Sequence, residues 1–478
     1  MKKDIKEVFS SIWGKTKDTA SRIFGKAKEL AAKAWEKTKV FFGEVISKLD
    51  EKIKTTLPTI SYKLKKIVLI VLASLIGLGI IYAIIVNAYA NDTHVFKGDK
   101  CENCGISSSL VYKFEYISET DSYSVVGRKI WKNKYDDVIL PDTYKGKPVS
   151  EIGEGAFCDY KKLVSVKIPG SVKTIGNSAF AYCSRLEEVT LSEGIEIIDF
   201  GAFYSCTSLE GIVIPDSVKT IGNCAFEGCR WMKTLHVGSD LESLDVLSFA
   251  YCNIDTITGG GEKYYVSGNC LISLVEGEDA SRITVVVGAN KSFIPEDVDA
   301  IGGYAFSGRL GLTEVILPVN VTKLYPYAYY ECDGIKKATL GSITEIPYRA
   351  FYSCEGLEEL TIPETVTAIR DEAFHSCIKL LKVAIPDACE TIGASAFTNC
   401  GSISELVIGS GVTYIGDRAF TLCHALTSAE FKNTEGWWVT KDASAQEGDA
   451  VAATELSNKE KAAELLYKTY GYYIWNRD

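Results

Sequence analysis

The chain has 478 residues, with 46% apolar and 11% aromatic residues. This length exceeds that of a single ordinary core, so several domains or a repeat array are expected, and the apolar content excludes a mainly disordered chain. Residues 1–66 carry 17 Lys and Arg against 8 Asp and Glu, whereas the rest carry 35 against 54. A basic arm joined to an acidic body indicates two compartments or two partners, and the acidic body argues against a nucleic-acid partner.

Residues 1–66 are predicted to form a cytoplasmic, Lys-rich, amphipathic helical arm. Within this arm, residues 12–55 divide into four segments of eleven residues. Since eleven residues make about three helical turns, equivalent positions stay nearly in line. Residues such as Trp13 and Phe24 share one side, and lysines such as Lys15 border it. The pattern favours a helix lying on membrane lipid. A right-handed coiled coil that self-associates without lipid is the alternative.

Residues 67–90 are predicted to form one transmembrane helix. Ile67–Val86 is a run of 20 residues without a charge, and such a run spans a hydrocarbon layer of ~30 Å. The sequence KLKK at Lys63–Lys66 comes just before it. Because positive charge stays in the cytoplasm, the N-terminus is predicted to be cytoplasmic and the later residues extracellular. The alternative is a signal peptide cleaved after Ala90, although the apolar run is longer than signal peptides have.

Residues 91–151 are interpreted as a juxtamembrane segment and an N-terminal cap. They contain the sequence Cys-Glu-Asn-Cys at Cys101 and Cys104. This spacing occurs in zinc knuckles and in redox pairs, but the chain has no second such pair and no βαβ pattern around this one. A local disulfide, or a remnant without a metal, is therefore favoured.

Residues 152–437 are predicted to form a repeat solenoid of the leucine-rich-repeat type, with short β-strands and tight turns in each 23-residue coil. One unit has 22 residues, and an insert at residues 262–295 lengthens another to 57. The sixth position is phenylalanine in ten units and Tyr329 in the other. Units this short must bury their apolar side against their neighbours. The units begin at Ile152, Ile175, Ile198, Ile221, Leu244, Ile301, Leu324, Ile346, Ile369, Ile392 and Ile415.

The ninth position of nine units is a cysteine. Side chains stacked at the strand spacing point the same way, whereas a disulfide needs facing Cβ atoms about 3.5–4.5 Å apart. One ligand per coil also gives no tetrahedral metal site. The pattern therefore predicts a structural ladder of free, buried thiols. Its members are Cys183, Cys206, Cys229, Cys252, Cys332, Cys354, Cys377, Cys400 and Cys423.

Two further segments depart from the repeat. The insert contains YYVSGNCLISL and RITVVV, which predict extra strands in a longer coil or a hairpin. Residues 438–478 are interpreted as a C-terminal cap. There, the sequence from Ser457 to Glu460 has the pattern of a capping box that opens a helix.

No catalytic motif is found in the sequence. The four histidines are scattered, and there is no P-loop, zinc-protease, nucleophile-elbow or dinucleotide-binding pattern. The chain is therefore predicted not to be an enzyme and to need no cofactor. The candidate ligand-binding face consists instead of two outward strand positions in each unit, since small and polar residues predominate there. The residues chosen are Ser165, Lys167, Glu188, Thr190, Thr234, His236, Lys337, Thr339, Glu359 and Thr361.

The repeated pattern I-G-x-x-A-F-x-x-C-x-x-L-x-x-V-x-I-P over about Asp136–Trp438 resembles the BspA-like leucine-rich repeat of bacterial surface proteins. The resemblance implies a solenoid displayed outside the cell, in a family whose members bind host matrix proteins or other bacteria. It says nothing about residues 1–66.

We therefore expect a single-pass protein of the cell membrane, in a bacterium, whose extracellular repeats bind a protein or another macromolecule in adhesion. Lipid would be contacted by residues 12–55 and 67–90. The alternative is a transmembrane sensor or scaffold, in which the repeats detect a ligand and the cytoplasmic arm relays it.

Overall fold

The computed structural model describes residues 96–97, 100–101, 108–128, 136–275 and 282–477. The predicted arm at residues 12–55, the predicted transmembrane helix at residues 67–90 and Cys104 lie outside these residues. Among the residues described, no helix is both long enough and apolar enough to cross a membrane.

The chain divides into two compact units: residues 1–113 with 128–146, and residues 114–127 with 147–478. The described elements of the first unit are short. Within this unit, the Tyr112 hydroxyl donates a hydrogen bond of 3.2 Å to the carbonyl oxygen of Ile139. The elements are the antiparallel strands Phe96–Lys97 and Lys100–Cys101, the helix Ser108–Val111, and the strands Asp136–Ile139 and Thr143–Tyr144.

The second unit is a β-solenoid of leucine-rich repeats, with about 13 turns. Most residues of the strand Tyr112–Ile117, and most of those of the strand Ser122–Arg128, belong to this unit. The latter runs parallel to Lys147–Ile152, which places Val125 beside Ile152. From there, each coil contributes a strand to each of two series, which we call the short ladder and the long ladder.

The short ladder is built mainly from two-residue strands that end at the first position of each repeat. In most units this position holds a buried aliphatic side chain that points into the coil, as Ile175 and Ile198 do, whereas Leu244 is only partly buried. Parallel pairing sets Ile175 beside both Ile152 and Ile198. The strands are Lys147–Ile152, Thr174–Ile175, Ile197–Ile198, Thr220–Ile221, Ser243–Leu244, Ala300–Ile301, Lys323–Leu324, Glu345–Ile346, Ala368–Ile369, Thr391–Ile392 and Tyr414–Ile415.

The long ladder has strands of three to six residues, whose side chains alternate between the core and solvent. Val189, for example, is buried between the exposed Glu188 and Thr190. The strands are Leu163–Ile168, Glu188–Leu191, Gly211–Val213, Thr234–Val237, Thr256–Gly259, Glu314–Ile316, Lys337–Thr339, Glu359–Thr361, Lys382–Ala384, Glu405–Ile408 and Ser428–Phe431.

Aromatic rings of the sixth repeat position stack through the core in two columns. Neighbouring centroids in the first column, Phe157 to Phe249, are 5.1–5.2 Å apart, with planes within 7° of parallel. The second column runs from Phe306 to Phe420 at 4.9–5.4 Å. Stacking follows from the period, because a 23-residue coil returns the same side chain to the same place one strand spacing along.

The insert separates the two columns, and its extra strands are confirmed. Tyr264–Ser267 pairs antiparallel with Cys270–Val275, which pairs antiparallel with Arg282–Gly288. The last strand then runs parallel to Ala300–Ile301, so the repeat resumes on it. At its end, Gly288 lies so close to the ring of Phe306 that a Cβ atom there would overlap the ring.

The C-terminal residues fold over the last coil. Trp475 is almost fully buried and lies near Phe431 and Trp437, with ring centroids 6.1 and 6.2 Å away. The strand Ile474–Arg477 runs antiparallel both to Tyr414–Ile415 and to Trp437–Thr440. The remaining elements are the strand Asp449–Ala450, the helices Ala453–Leu456 and Lys459–Glu464, and the π-helix Leu465–Thr469.

The predicted capping box is wrong in its first residue. Asn458 is the N-cap of the helix Lys459–Glu464, since its side-chain oxygen accepts a hydrogen bond of 3.0 Å from the Lys461 amide. Ser457 instead donates from Oγ to the carbonyl oxygen of Ala453, at 2.8 Å. The reason is the preceding helix Ala453–Leu456, whose first residue supplies the carbonyl oxygen that accepts from the serine hydroxyl.

Candidate functional site

The ten residues predicted as a binding face all lie in strands of the long ladder. In the first coils, pairing sets Ser165 beside Glu188 and Lys167 beside Thr190. All four are at least partly exposed. Because the backbone ladder fixes their spacing, these side chains present a regular polar surface.

The other predicted residues extend the same series. Thr234 and His236 lie in one strand, and the imidazole Nδ1 of His236 is 3.0 Å from Oγ1 of Thr258 in the next strand. Past the insert, pairing sets Lys337 beside Glu359 and Thr339 beside Thr361.

Charges alternate along the outer edge of these later strands. Lys337 Nζ is 3.8 Å from Glu359 Oε2, and Lys382 Nζ is 2.8 Å from Glu405 Oε1. All four side chains are about half exposed or more, so each pair stabilises the fold by less than about 1 kcal/mol. The charges of these two pairs therefore balance.

A second surface, which the sequence reasoning missed, lies on the tight-turn side of five consecutive coils. It consists of partly exposed aromatic rings around one arginine. We call it the tyrosine cluster and define it as Tyr251, Tyr304, Tyr327, Tyr330, Tyr348, Arg349, Tyr352 and His375.

Stacking along the solenoid axis holds most of these rings in place. Tyr330 stacks on Tyr352 with centroids 5.0 Å apart, and Tyr352 stacks on His375 at 4.7 Å. Tyr304 stacks on Tyr327 at 4.6 Å. Burial raises the pKa of Tyr304 to about 12, so its hydroxyl stays protonated at neutral pH.

Tyr251 joins the cluster from the far side of the insert. Its ring meets that of Tyr330 edge-on, with centroids 5.9 Å apart, although a whole coil lies between them. That coil has Gly308 at the equivalent position, with φ of +70°. A Cβ atom on Gly308 would lie 2.7 Å from the Cα atom of Tyr251. The glycine therefore lets Tyr251 reach across.

Arg349 is the cation of the cluster. Its guanidinium carbon lies 4.9 Å from the ring centroid of Tyr348 and 5.1 Å from that of Tyr352. The guanidinium also pairs with the carboxylate of Glu372 at 2.9 Å. These distances are those of cation–π contacts.

The sequence does carry a signal for this surface. The unit that starts at Leu324 reads LYPYAYYEC and the next reads IPYRAFYSC, with more aromatic residues around the buried ring than most other units have. The first of them is also the only unit of 22 residues. The strand positions on which the predicted binding face rests do not include these turn residues.

A pocket of about 510 Å³ adjoins the cluster at Tyr348. Arg370 and Glu345 pair across it at 2.7 Å, and this hydrogen bond lowers the pKa of the Glu345 carboxyl. Lys323 and Asp371 also line it, so its four charges balance.

The nine ladder cysteines are free thiols that are fully buried. In every case Sγ donates a hydrogen bond of 2.9–3.3 Å to the carbonyl oxygen of the sixth-position residue one coil earlier, as Cys206 does to Phe180. Burial raises the pKa of Cys332 to about 12, so this thiol stays protonated. Of the other cysteines, Cys158 is exposed and Cys224 is partly buried. Within the described part of the chain, no group of three metal-ligating side chains converges.

Arg309 takes the place of the ladder cysteine in the coil that follows the insert. Its side chain is fully buried, and burial lowers its pKa. Its donors reach four carbonyl oxygens, which belong to Phe249, Cys252, Gly288 and Ser307. It therefore joins the coils on either side of the break.

The family profile described as "BspA type Leucine rich repeat region (6 copies)" matches residues 137–272, 288–358 and 344–436. The chain belongs to the BspA-type leucine-rich repeat family. This match covers more than half of the sequence and includes the tyrosine cluster. Comparison with curated proteins gives no match.

Three solved structures of bacterial proteins align with this BspA-type chain. The pneumococcal vaccine antigen PcpA is 16% identical, with a TM-score of 0.50, over 76% of this chain and 96% of PcpA; this likeness shows the fold. A leucine-rich cell surface protein of Faecalibacterium prausnitzii is 21% identical, with a TM-score of 0.43, over 72% and 96% of the two chains. A leucine-rich repeat protein of Bacteroides ovatus is 25% identical, with a TM-score of 0.38, over 67% and 93%.

Proposed function

We propose that this BspA-type protein is anchored in the cell membrane and binds other proteins in adhesion. The observation that carries the proposal is the tyrosine cluster: six tyrosines, an arginine and a histidine packed together on the surface of five coils. Tyrosine and arginine are enriched where protein interfaces gain most of their binding energy, and rings already held in stacks lose little conformational entropy on binding. The polar face of the long ladder is the second candidate surface. The proposal concerns binding only and includes no catalysed reaction.

The test compares cells that display the full chain with cells that lack it, using a panel of purified extracellular matrix proteins and suspended bacteria as partners. We expect at least one partner to adhere to the displaying cells. The double variant Tyr330→Ala/Tyr352→Ala should lose this adhesion. The double variant Glu188→Ala/Thr190→Ala, on the long ladder, should keep it. Equal adhesion to cells with and without the chain, across the whole panel, would refute the proposal.

The membrane part of the proposal rests on the charge-free run Ile67–Val86 behind its lysines. Protease added to intact cells should remove the repeats and leave a protected fragment of roughly 90 residues, as the positive-inside rule requires. Loss of the N-terminal arm instead would invert the topology. If deletion of residues 1–60 leaves adhesion intact but abolishes a cellular response, the sensor alternative is favoured.

The arm itself is proposed to lie on the inner leaflet. A peptide of residues 1–57 should be mostly unfolded in buffer and should become helical with anionic vesicles, as judged by circular dichroism. A helical oligomer that forms without lipid and ignores vesicles would support the coiled coil instead.

A further inference from the structure

The tyrosine cluster already binds one cation, supplied by the chain itself. The guanidinium of Arg349 lies 4.9–6.0 Å from the ring centroids of Tyr348, Tyr352 and Tyr327. Glu372 completes the arrangement with a bidentate contact, since the Arg349 Nε and Nη2 atoms donate to its two carboxylate oxygens at 3.0 and 3.2 Å. Aromatic rings beside a carboxylate are therefore a working guanidinium site in this fold.

The same combination occurs at the other end of the cluster. There, the rings are those of Tyr251 and Tyr330, and the carboxylates of Glu227 and Glu331 lie close enough for their charges to act on Tyr251. The pKa of Tyr251 is raised mainly by burial, with these charges adding to the effect. Within the described residues, no cation of this chain lies over either ring at cation–π distance.

Negative charge also gathers at this end of the cluster without enough positive charge to balance it. We call the carboxylates concerned, those of Glu227, Glu331, Asp333 and Glu355, the acidic edge. Burial raises the pKa of Glu331, and the charge of Arg230 partly offsets this rise. Burial and the nearby charge of Glu355 raise the pKa of Asp333. No ion pair within 4.0 Å involves Glu227, Glu331, Asp333 or Glu355 among the described residues. A positively charged partner would relieve this repulsion, whereas an acidic one would add to it.

Apolar surface lies beside the acidic edge. Trp231, next to Arg230, is 67% exposed, and Leu310, in the coil that lies between Tyr251 and Tyr330, is 54% exposed. Large exposed side chains of this kind can cover the stem of a lysine or arginine side chain, as well as its neighbours in a bound segment.

From this geometry we propose that the Tyr251–Tyr330 end of the tyrosine cluster docks an arginine- or lysine-bearing segment of a partner protein. The proposal rests on the protein-binding function above and adds the chemistry of the partner. One cationic side chain packs against the rings of Tyr251 and Tyr330 and pairs with Glu331 or Glu227, as Arg349 does with its own tyrosines and Glu372.

The experiment uses the full chain in nanodiscs of zwitterionic lipid, so that the lipid surface attracts no peptide through charge. The probes are three fluorescein-labelled eight-residue peptides in which serine alternates with arginine, glutamine or glutamate, and binding is followed by fluorescence anisotropy. We expect only the arginine peptide to bind, and its affinity to fall as salt is raised. Tyr330→Leu should weaken binding about tenfold. The double variant Glu227→Gln/Glu331→Gln should weaken binding and flatten its salt dependence.

Tyr182→Leu is the control, because Tyr182 is a tyrosine of the same turn side, is 51% exposed and lies several coils away. Its binding should equal that of the unsubstituted chain. Protection of the ladder thiols from alkylation verifies that each variant is folded.

Equal binding of the arginine and glutamine peptides would overturn the proposal, as would equal losses in Tyr330→Leu and Tyr182→Leu. So would binding of a neutral oligosaccharide, such as maltotetraose, that depends on Tyr330 while the arginine peptide does not bind. If matrix proteins still adhere in any of these cases, the protein-binding function stands and only the partner's chemistry is wrong.

Discussion

The side chain of Arg309 donates from Nε to the carbonyl oxygen of Gly288, at 2.6 Å, across the boundary between the insert and the resumed repeat. Its Nη1 atom donates to further carbonyl oxygens on the other side of the boundary, including that of Phe249. No carboxylate pairs with this buried cation among the described residues. The guanidinium is therefore held by backbone carbonyl groups alone.

Replacing Arg309 by methionine, which is of similar length, should lower the free energy of unfolding by about 3 kcal/mol or more, because several buried carbonyl groups lose their donor. Urea unfolding followed by circular dichroism measures the change. Arg418→Met is the control, since Arg418 is exposed and its ion pair with Asp417 is at the surface. Equal stability of the two variants would show that water or backbone movement replaces the donor.

The ladder thiols should resist alkylation in the native protein, because they are buried and the pKa of members such as Cys332 and Cys354 is raised by burial. Cys158, which is exposed, should react first. In denaturant, all nine ladder cysteines should take up label without added reductant, as counted by mass spectrometry of peptides. Labelling that appears only after reduction would mean that the ladder is oxidised.

Gly288→Ala should destabilise the protein, since the new methyl group would overlap the ring of Phe306 at the head of the second aromatic column. Overpacking of this kind costs about 1–3 kcal/mol. Gly401→Ala is the matched control, because its Cβ atom would meet nothing nearer than the Leu422 carbonyl oxygen at 4.0 Å. Thermal unfolding measures both. A Gly288→Ala midpoint equal to that of Gly401→Ala would mean that the ring moves aside freely.

Asn458→Ala should cost about 1 kcal/mol of stability, because it removes the side-chain acceptor of the Lys461 amide. Ser457→Ala should cost clearly less, since the Ser457 hydroxyl only adds a donor to a helical carbonyl group that is already near solvent. Comparing the two variants by urea unfolding tests which residue is the cap. A larger loss of stability in Ser457→Ala than in Asn458→Ala would show that Ser457 is the cap, as the capping-box pattern predicts.

Much of the repeat domain follows from period alone. A spacing of 23 residues fixes where Phe203 and Cys206 must lie relative to Phe180 and Cys183, because identical coils can pack only in register. The insert strands could be predicted as well, from β-branched runs such as Arg282–Gly288.

The tyrosine cluster could not be predicted in the same way. Tyr251 and Tyr330 are 79 positions apart in the sequence, on either side of the insert, and they meet because Gly308 leaves the space between them. In the sequence, Arg309 stands out only because it occupies the ninth repeat position, where nine other units have a cysteine. Its hydrogen bonds depend on where the insert places Gly288, which no local pattern encodes.

The strand Ile474–Arg477 has a consequence for how large the array can become. Parallel coils expose an edge that another parallel coil can continue, so an open end of such a stack is a template for fibre growth. Ile474–Arg477 is antiparallel to Tyr414–Ile415 and gives its other edge to Trp437–Thr440. The short ladder is thus terminated by the chain's own reversed strand, and a second molecule finds no matching edge there. At this end, the chain itself therefore fixes where the parallel stacking of coils stops.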